Sequence, residues 1–180
     1  MYNDLKHYNL VFIGFMGVGK TTISSKVSKI LNREIIDTDK KIIEKTNIEI
    51  SDIFNQFGEE YFRNIESNII SEISTKKDVI ISCGGGSVIR EKNVSLLKEN
   101  GIIIRLTANP HTIFNRVRKS NSRPILKNNM NEQFISSLMK KRDLIYKNAA
   151  DITISTDYKS IKEISKECIE KSIQFIKYNK

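Results

Sequence analysis

Gly14-Phe15-Met16-Gly17-Val18-Gly19-Lys20-Thr21 follows the spacing G-x-x-x-x-G-K-[ST], and its flanks decide what that spacing means. Leu10-Val11-Phe12-Ile13 precedes it, a short apolar run of the kind that forms a strand buried in a parallel sheet. After it, Ile23, Val27, Ile30 and Leu31 recur at helical spacing. A glycine-rich turn between strand and helix curls the backbone so that successive N–H groups converge on phosphate oxygens, and the helix N-terminus adds partial positive charge. Gly17, Val18, Gly19, Lys20, Thr21 and Thr22 are therefore expected to hold the phosphates of a nucleoside triphosphate. Lys20 would reach the β- and γ-phosphates, and the Thr21 hydroxyl would hold Mg²⁺. The plain alternative, a strand-to-helix turn with a surface lysine, would meet every fixed position only by chance.

Outward from this stretch, strands and helices alternate. Glu34–Asp37 reads as a second strand, followed by a brief helix from about Lys40 to Lys45 and a longer helical region, 51–74, broken near Gly58. Val79–Ser82 reads as a third strand running into Cys83-Gly84-Gly85-Gly86, with a helix at 90–99 beyond it. Ile102–Leu106 is a fourth strand, and Pro110 opens a helix to about Lys119. A polar stretch rich in Ser, Asn, Lys and Arg spans about 119–131 and reads as a mobile lid. Glu132–Lys147 is a helix, Asp151–Ser155 a fifth strand, and Ile161, Ile164, Cys168, Ile169, Ile173 and Ile176 mark one face of a last helix. The pattern predicts one α/β domain, a three-layer fold with a five-stranded parallel sheet and helices on both faces.

The composition agrees. A chain of 180 residues, 39% hydrophobic and 28% charged, is enough for one sizeable core. No apolar run is long enough to cross a bilayer, and Met1–His7 lacks the layout of a signal peptide, so a cytoplasmic setting without a membrane partner is expected. Cys83 and Cys168 fit no metal or disulfide spacing and read as buried small hydrophobes. The formal charge of +9 is dispersed, with no aromatic-interleaved basic stripe, so nucleic acid is not an expected partner and the charge suits anionic small molecules.

Ligands of parallel sheets collect at the carboxyl ends of the strands. There Asp37 and Asp39 flank Thr38, and in extended geometry both would point the same way, one supporting metal-bound water and the other taking the proton of an attacking hydroxyl. The alternative for Asp39 is a helix N-cap. Gly84-Gly85-Gly86 invites close approach of a substrate to the backbone, or is simply a flexible turn. Glu66 falls within an apolar stripe with Phe62, Ile69, Ile70 and Ile73, a position that calls for a partner, and Arg63 is one turn away. Arg142 belongs to the stripe of Leu138, Met139, Ile145 and Tyr146. The two arginines read equally as a fork for a substrate carboxylate and as structural ion-pair partners. Arg123, before Pro124 in the polar stretch, reads as a cation for the transferring phosphoryl group.

Taken in order, Gly14–Thr21, Asp37-Thr38-Asp39, Phe62-Arg63-x-x-Glu66, Gly84-Gly85-Gly86, Arg123-Pro124 and Arg142 resemble the shikimate kinase family over essentially the whole chain. The resemblance implies a nucleoside-monophosphate-kinase-like P-loop fold and transfer of the ATP γ-phosphoryl group to the 3-hydroxyl of shikimate. It implies catalytic roles for Asp39, Lys20 and Arg123, and Mg²⁺ held by Thr21 with Asp37 acting through water. Arg63 and Arg142 would grip the shikimate carboxylate. Gly85, flanked by Gly84 and Gly86, would contact substrate through its backbone, with Phe54, Phe62 and Glu66 walling and ordering the pocket. Arg116 and Lys159 would fall at the adenine, and a monomer is implied by analogy. The loop Ser155–Ser160 lacks the family's frequent arginine and proline; Lys159 replaces the charge but not the planar stacking. Gluconate and nucleoside-monophosphate kinases lack this joint set of motifs. A GTPase-type switch would need an Asn-Lys-x-Asp motif, which is absent. A non-catalytic P-loop module would not need Lys20, Thr21 and Asp39 together.

Overall fold

The computed structural model describes residues 2–118 and 131–179, so Arg123 and nearly all of the expected lid lie outside the described residues. Five strands, β1 (Asn9–Ile13), β2 (Ile35–Asp37), β3 (Ile80–Ser82), β4 (Gly101–Thr107) and β5 (Ile152–Ser155), pair in parallel in the order β2-β3-β1-β4-β5. β1 and β3 are buried along their whole length, which is why they read as unbroken apolar runs. β5, at an edge, alternates buried and exposed residues. Helices α1 (Lys20–Leu31), α2 (Thr38–Thr46), α3 (Ile50–Ser74), α4 (Glu91–Glu99), α5 (Pro110–Val117), α6 (Glu132–Ala149) and α7 (Ile161–Tyr178) surround the sheet.

The pairing register aligns Asp37 with Ser82 and Ser82 with Phe12, so the ends of β2, β3 and β1 form one row. The chain leaves β1 toward one edge of the sheet and leaves β3 toward the other, and a crevice opens between the two departing loops. Leu10, Phe12, Ile80, Ile81 and Ile103, each 1% exposed or less, fill the centre beneath it. A short 3-10 turn, Asn3–Leu5, has no signal in the apolar pattern; it inserts Leu5 into the core.

The break read near Gly58 is there, as a kink within α3 (φ 80°, ψ 174°); a Cβ at that position would meet nothing within 4 Å, so positive φ alone calls for glycine. Two details depart from the sequence reading. On α6 the buried line runs Ile135, Tyr146, Ala149, while Ile145 is turned outward. On α7 the stripe from Ile164 to Ile176 is buried or half-buried, but Ile161 at its start is exposed; the Ser160–Glu163 capping box starts the helix one residue before it.

Candidate active site

Two cavities lie side by side at the carboxyl ends of the strands and share Lys20 and Thr21 as a common wall. The first, about 410 Å³, runs along Gly17–Thr22 toward Arg116, Thr156 and Lys159. Gly14, Gly17 and Gly19 adopt φ of 139°, 78° and 98°, the conformations that curl the loop. A side chain at Gly17 would also lie 2.7 Å from Val117 Cγ1. No side chain caps α1 at Gly19, which leaves the N–H groups of its first turn directed at the cavity. Lys20 Nζ donates to the carbonyls of Gly14 (2.8 Å) and Phe15 (3.2 Å), folded over the loop it serves.

Arg116, from α5, straps this loop to the segment after β5. Its guanidinium donates to the carbonyls of Gly17 and Val18 (both 3.3 Å) and to Thr156 Oγ1 (3.0 Å) and O (3.1 Å). Lys159 lines the same cavity, but its Nζ is paired with Glu167 at 2.6 Å. Thr156 had no signal in the sequence pattern, because its partner lies 40 residues away.

The second cavity, about 240 Å³, gathers Asp37, Asp39, Phe54, Phe62, Arg63, Glu66, Gly84–Gly86 and Arg142 around Lys20 and Thr21. Asp37 and Asp39 do not alternate along a strand. β2 stops at Asp37 and α2 begins at Thr38, so Asp37, not Asp39, is the N-cap, its Oδ1 accepting from the N–H groups of Asp39 (3.1 Å) and Lys40 (3.3 Å). This leaves the Asp39 carboxyl facing the cavity. Burial, then the nearby charges of Asp37 and Glu66, push its pKa up to about 6, against the opposing pull of Lys20 and Arg63.

Glu66, 1% exposed, has the partner its position calls for: Arg63 Nη1 donates to Oε2 at 2.6 Å. Glu59, one turn earlier and on the surface, accepts from Arg63 Nε (3.2 Å) and Nη2 (3.1 Å). The rings of Phe54 and Phe62 approach to 4.6 Å across the Gly58 kink and wall one side.

The glycine turn is required by side chains rather than by its own dihedral angles. A Cβ on Gly84 would collide with the Asp39 carboxylate, and one on Gly86 with both terminal nitrogens of Arg63. Gly85 has more room, with Tyr146 Oη at 3.8 Å and Arg142 Nη1 at 3.9 Å from such a Cβ. The Gly84 N–H is already donated to Thr38 Oγ1 at 2.8 Å. The Gly85 carbonyl accepts from Tyr146 Oη at 2.5 Å and from Arg142 Nη1 at 3.4 Å. Thr38 and Tyr146 thus support the pocket, as does Ser87, whose hydroxyl donates to Glu66 Oε1; in the sequence Thr38 stood only as the residue between two aspartates, Tyr146 only as an apolar residue, and Ser87 had no signal. The Tyr146 hydroxyl, on a ring that is 4% exposed, was the available signal, since a buried phenol needs a partner.

Cys83 forms part of the cavity floor, where burial raises its thiol far above the usual range; burial likewise pushes Cys168 up to about 12. Neither is a nucleophile here. Among the described residues no three His, Cys, Asp or Glu side chains form a metal cage. A nucleotide-bound Mg²⁺ needs only one or two protein oxygens beside the phosphates, and the Thr21 hydroxyl and Asp37 carboxylate in one cavity fit that demand. No helix among the described residues is long and apolar enough to cross a membrane.

A family model described as shikimate kinase matches residues 16–173. A shikimate kinase of Thermodesulfovibrio yellowstonii is 40% identical over 162 residues, covering 90% of this chain and 93% of the relative. One of Caldicellulosiruptor saccharolyticus is 44% identical over 149 residues, 83% of this chain and 86% of the relative. Among solved structures, shikimate kinase from Acinetobacter baumannii in complex with shikimate superposes with a TM-score of 0.84 at 30% identity, covering 100% of this chain and 99% of the other.

Proposed function

The chain belongs to the shikimate kinase family, and from that premise we propose how its residues divide the reaction between donor and acceptor. The reaction is transfer of the ATP γ-phosphoryl group to the 3-hydroxyl of shikimate, giving shikimate 3-phosphate and ADP, a step toward chorismate and the aromatic amino acids. Gly17–Thr22 cradle the phosphates through backbone N–H groups, and Lys20 swings from the loop carbonyls to the β- and γ-oxygens. Arg116 and Lys159 border the adenine end. Thr21 would hold Mg²⁺ directly and Asp37 through water, and the ion would offset charge on the phosphates. Asp39 orients the 3-hydroxyl and takes its proton; a pKa of about 6 leaves it mostly ionised at neutral pH and basic enough to serve. Phe54 and Phe62 wall the ring, and residues 38–75 form the substrate-binding region. Arg123 lies outside the described residues and keeps the role the resemblance gives it, a cation for the transferring phosphoryl group. A monomer is the oligomeric state we propose, by analogy with the family alone.

The observation that carries the acceptor assignment is the convergence of two guanidinium groups, from α3 and α6, on the adjacent residues Gly86 and Gly85. One carboxylate can accept from both. Replacing Arg142 by Ala is expected to raise the KM for shikimate about thirtyfold with the KM for ATP within about twofold, as measured by coupled ADP release. Equal changes in both constants would make Arg142 a structural residue.

A further inference from the structure

Ser87 closes the glycine turn and is wholly buried. Its hydroxyl donates to Glu66 Oε1 at 2.7 Å, while Arg63 Nη1 donates to Oε2 of the same carboxylate. The buried carboxylate is thus gripped at each oxygen, by donors from two different elements. Ser87 is itself held: its N–H donates to the Gly84 carbonyl at 3.3 Å, and Asn93 Nδ2, from α4, donates to its carbonyl at 2.9 Å. Asn93 is fully buried, and among the described residues its Oδ1 has no hydrogen-bond partner, so the donor it gives Ser87 is what ties its side chain to the turn.

The consequence falls on Arg63. Glu59 takes its Nε and Nη2 edge and Glu66 takes Nη1, which leaves the end bearing Nη1 and Nη2 turned toward Gly86. Glu59 is a loose hold, since its side chain is 65% exposed. Glu66 is a firm one, and its rotation is restrained by the bond from Ser87. We propose that Ser87 is a positioning residue for the acceptor pocket: by pinning Glu66 it sets the direction in which Arg63 offers its remaining N–H groups to the shikimate carboxylate. This rests on the reading of Arg63 given above and adds to it a residue that never touches substrate.

Steady-state kinetics on Ser87→Ala, Arg63→Lys and the double variant test the proposal. Lysine keeps a cation beside Glu66 but loses the fork. Ser87→Ala is expected to raise the KM for shikimate about tenfold with kcat and the KM for ATP within about twofold. In the Arg63→Lys background the same change should add less than about twofold, because the residue it acts through has already lost its geometry. If Ser87→Ala fails to fold, Ser87→Cys, of nearly the same shape but a weak donor, should show the same selective rise at about threefold. If Arg63→Lys alone leaves the KM for shikimate unchanged, the parent reading of Arg63 falls. If Arg63→Lys raises it and a folded Ser87 variant does not, or if the two effects multiply in the double variant, the role of Ser87 falls and Arg63 keeps its own.

Discussion

The donor loop and the acceptor pocket meet at Lys20 and Thr21 and are built by opposite means. The donor side is mostly backbone: residues 14–21, glycines at positive φ, an uncapped helix start and a lysine folded over its own loop. The acceptor side is mostly side chain: Asp39 from α2, Arg63 and Glu66 from α3, and Arg142 from α6, packed around a turn in which Gly84 and Gly86 leave room for Asp39 and Arg63. A backbone cradle binds any triphosphate. Selecting one small acid takes charges held in pairs across elements distant in the chain.

The largest expected effect tests whether the acceptor side also performs chemistry. Asp39→Asn should lower kcat about a thousandfold while leaving the KM for ATP within about twofold, measured by coupled ADP release. A wild-type rate would remove Asp39 from catalysis. Next, one glycine from each region should separate the two sites. Gly86→Ala displaces Arg63 and is expected to raise the KM for shikimate about fiftyfold. Gly17→Ala strains the donor loop against Val117 and should raise the KM for ATP about tenfold, leaving shikimate nearly unaffected. If either change moved both constants together, the two cavities would have to be treated as one site.

The smallest effect concerns stability. The Asp39 carboxyl is raised from 3.8 to about 6, so between those values the folded chain holds a proton that the unfolded chain releases. The ionised group therefore opposes folding, fully above about pH 6 and not at all below about pH 4. In enzyme free of nucleotide and metal, Asp39→Asn should stabilise the fold by about 1–3 kcal/mol at pH 7.5, a gain that fades on acidification toward pH 4. Urea unfolding at the two pH values would show it, and a variant no more stable at pH 7.5 would mean that Asp39 is not strained.

The contrast between backbone and side-chain construction also explains what was legible beforehand. The parallel sheet, the phosphate loop and the Arg63–Glu66 pair could be read because each is written over a few consecutive residues or one helical turn. Within Asp37-Thr38-Asp39 the end of the strand at Asp37 was legible, but the helix was expected to start at about Lys40 rather than Thr38, so the cap was weighed for Asp39 when it falls to Asp37 at the boundary. The glycine turn was recognised, but its reason was not: the side chains that forbid a Cβ at Gly84 and Gly86 come from residues 39 and 63. Lys159 was expected at the nucleotide and lines its cavity, though the Glu167 that holds it entered no motif.

By itself the sequence determined the α/β class, the site that binds a triphosphate and the family, because strand and helix periods and the G-x-x-x-x-G-K-T turn are local properties of the chain. Only the tertiary structure decided which aspartate caps and which faces the cavity, which side chains crowd two of the three glycines, and that Thr38, Ser87 and Tyr146 brace the pocket. The Asp37 cap is local, but the rest depend on hydrogen bonds and close approaches between residues 21 to 61 positions apart, which local spacing cannot encode.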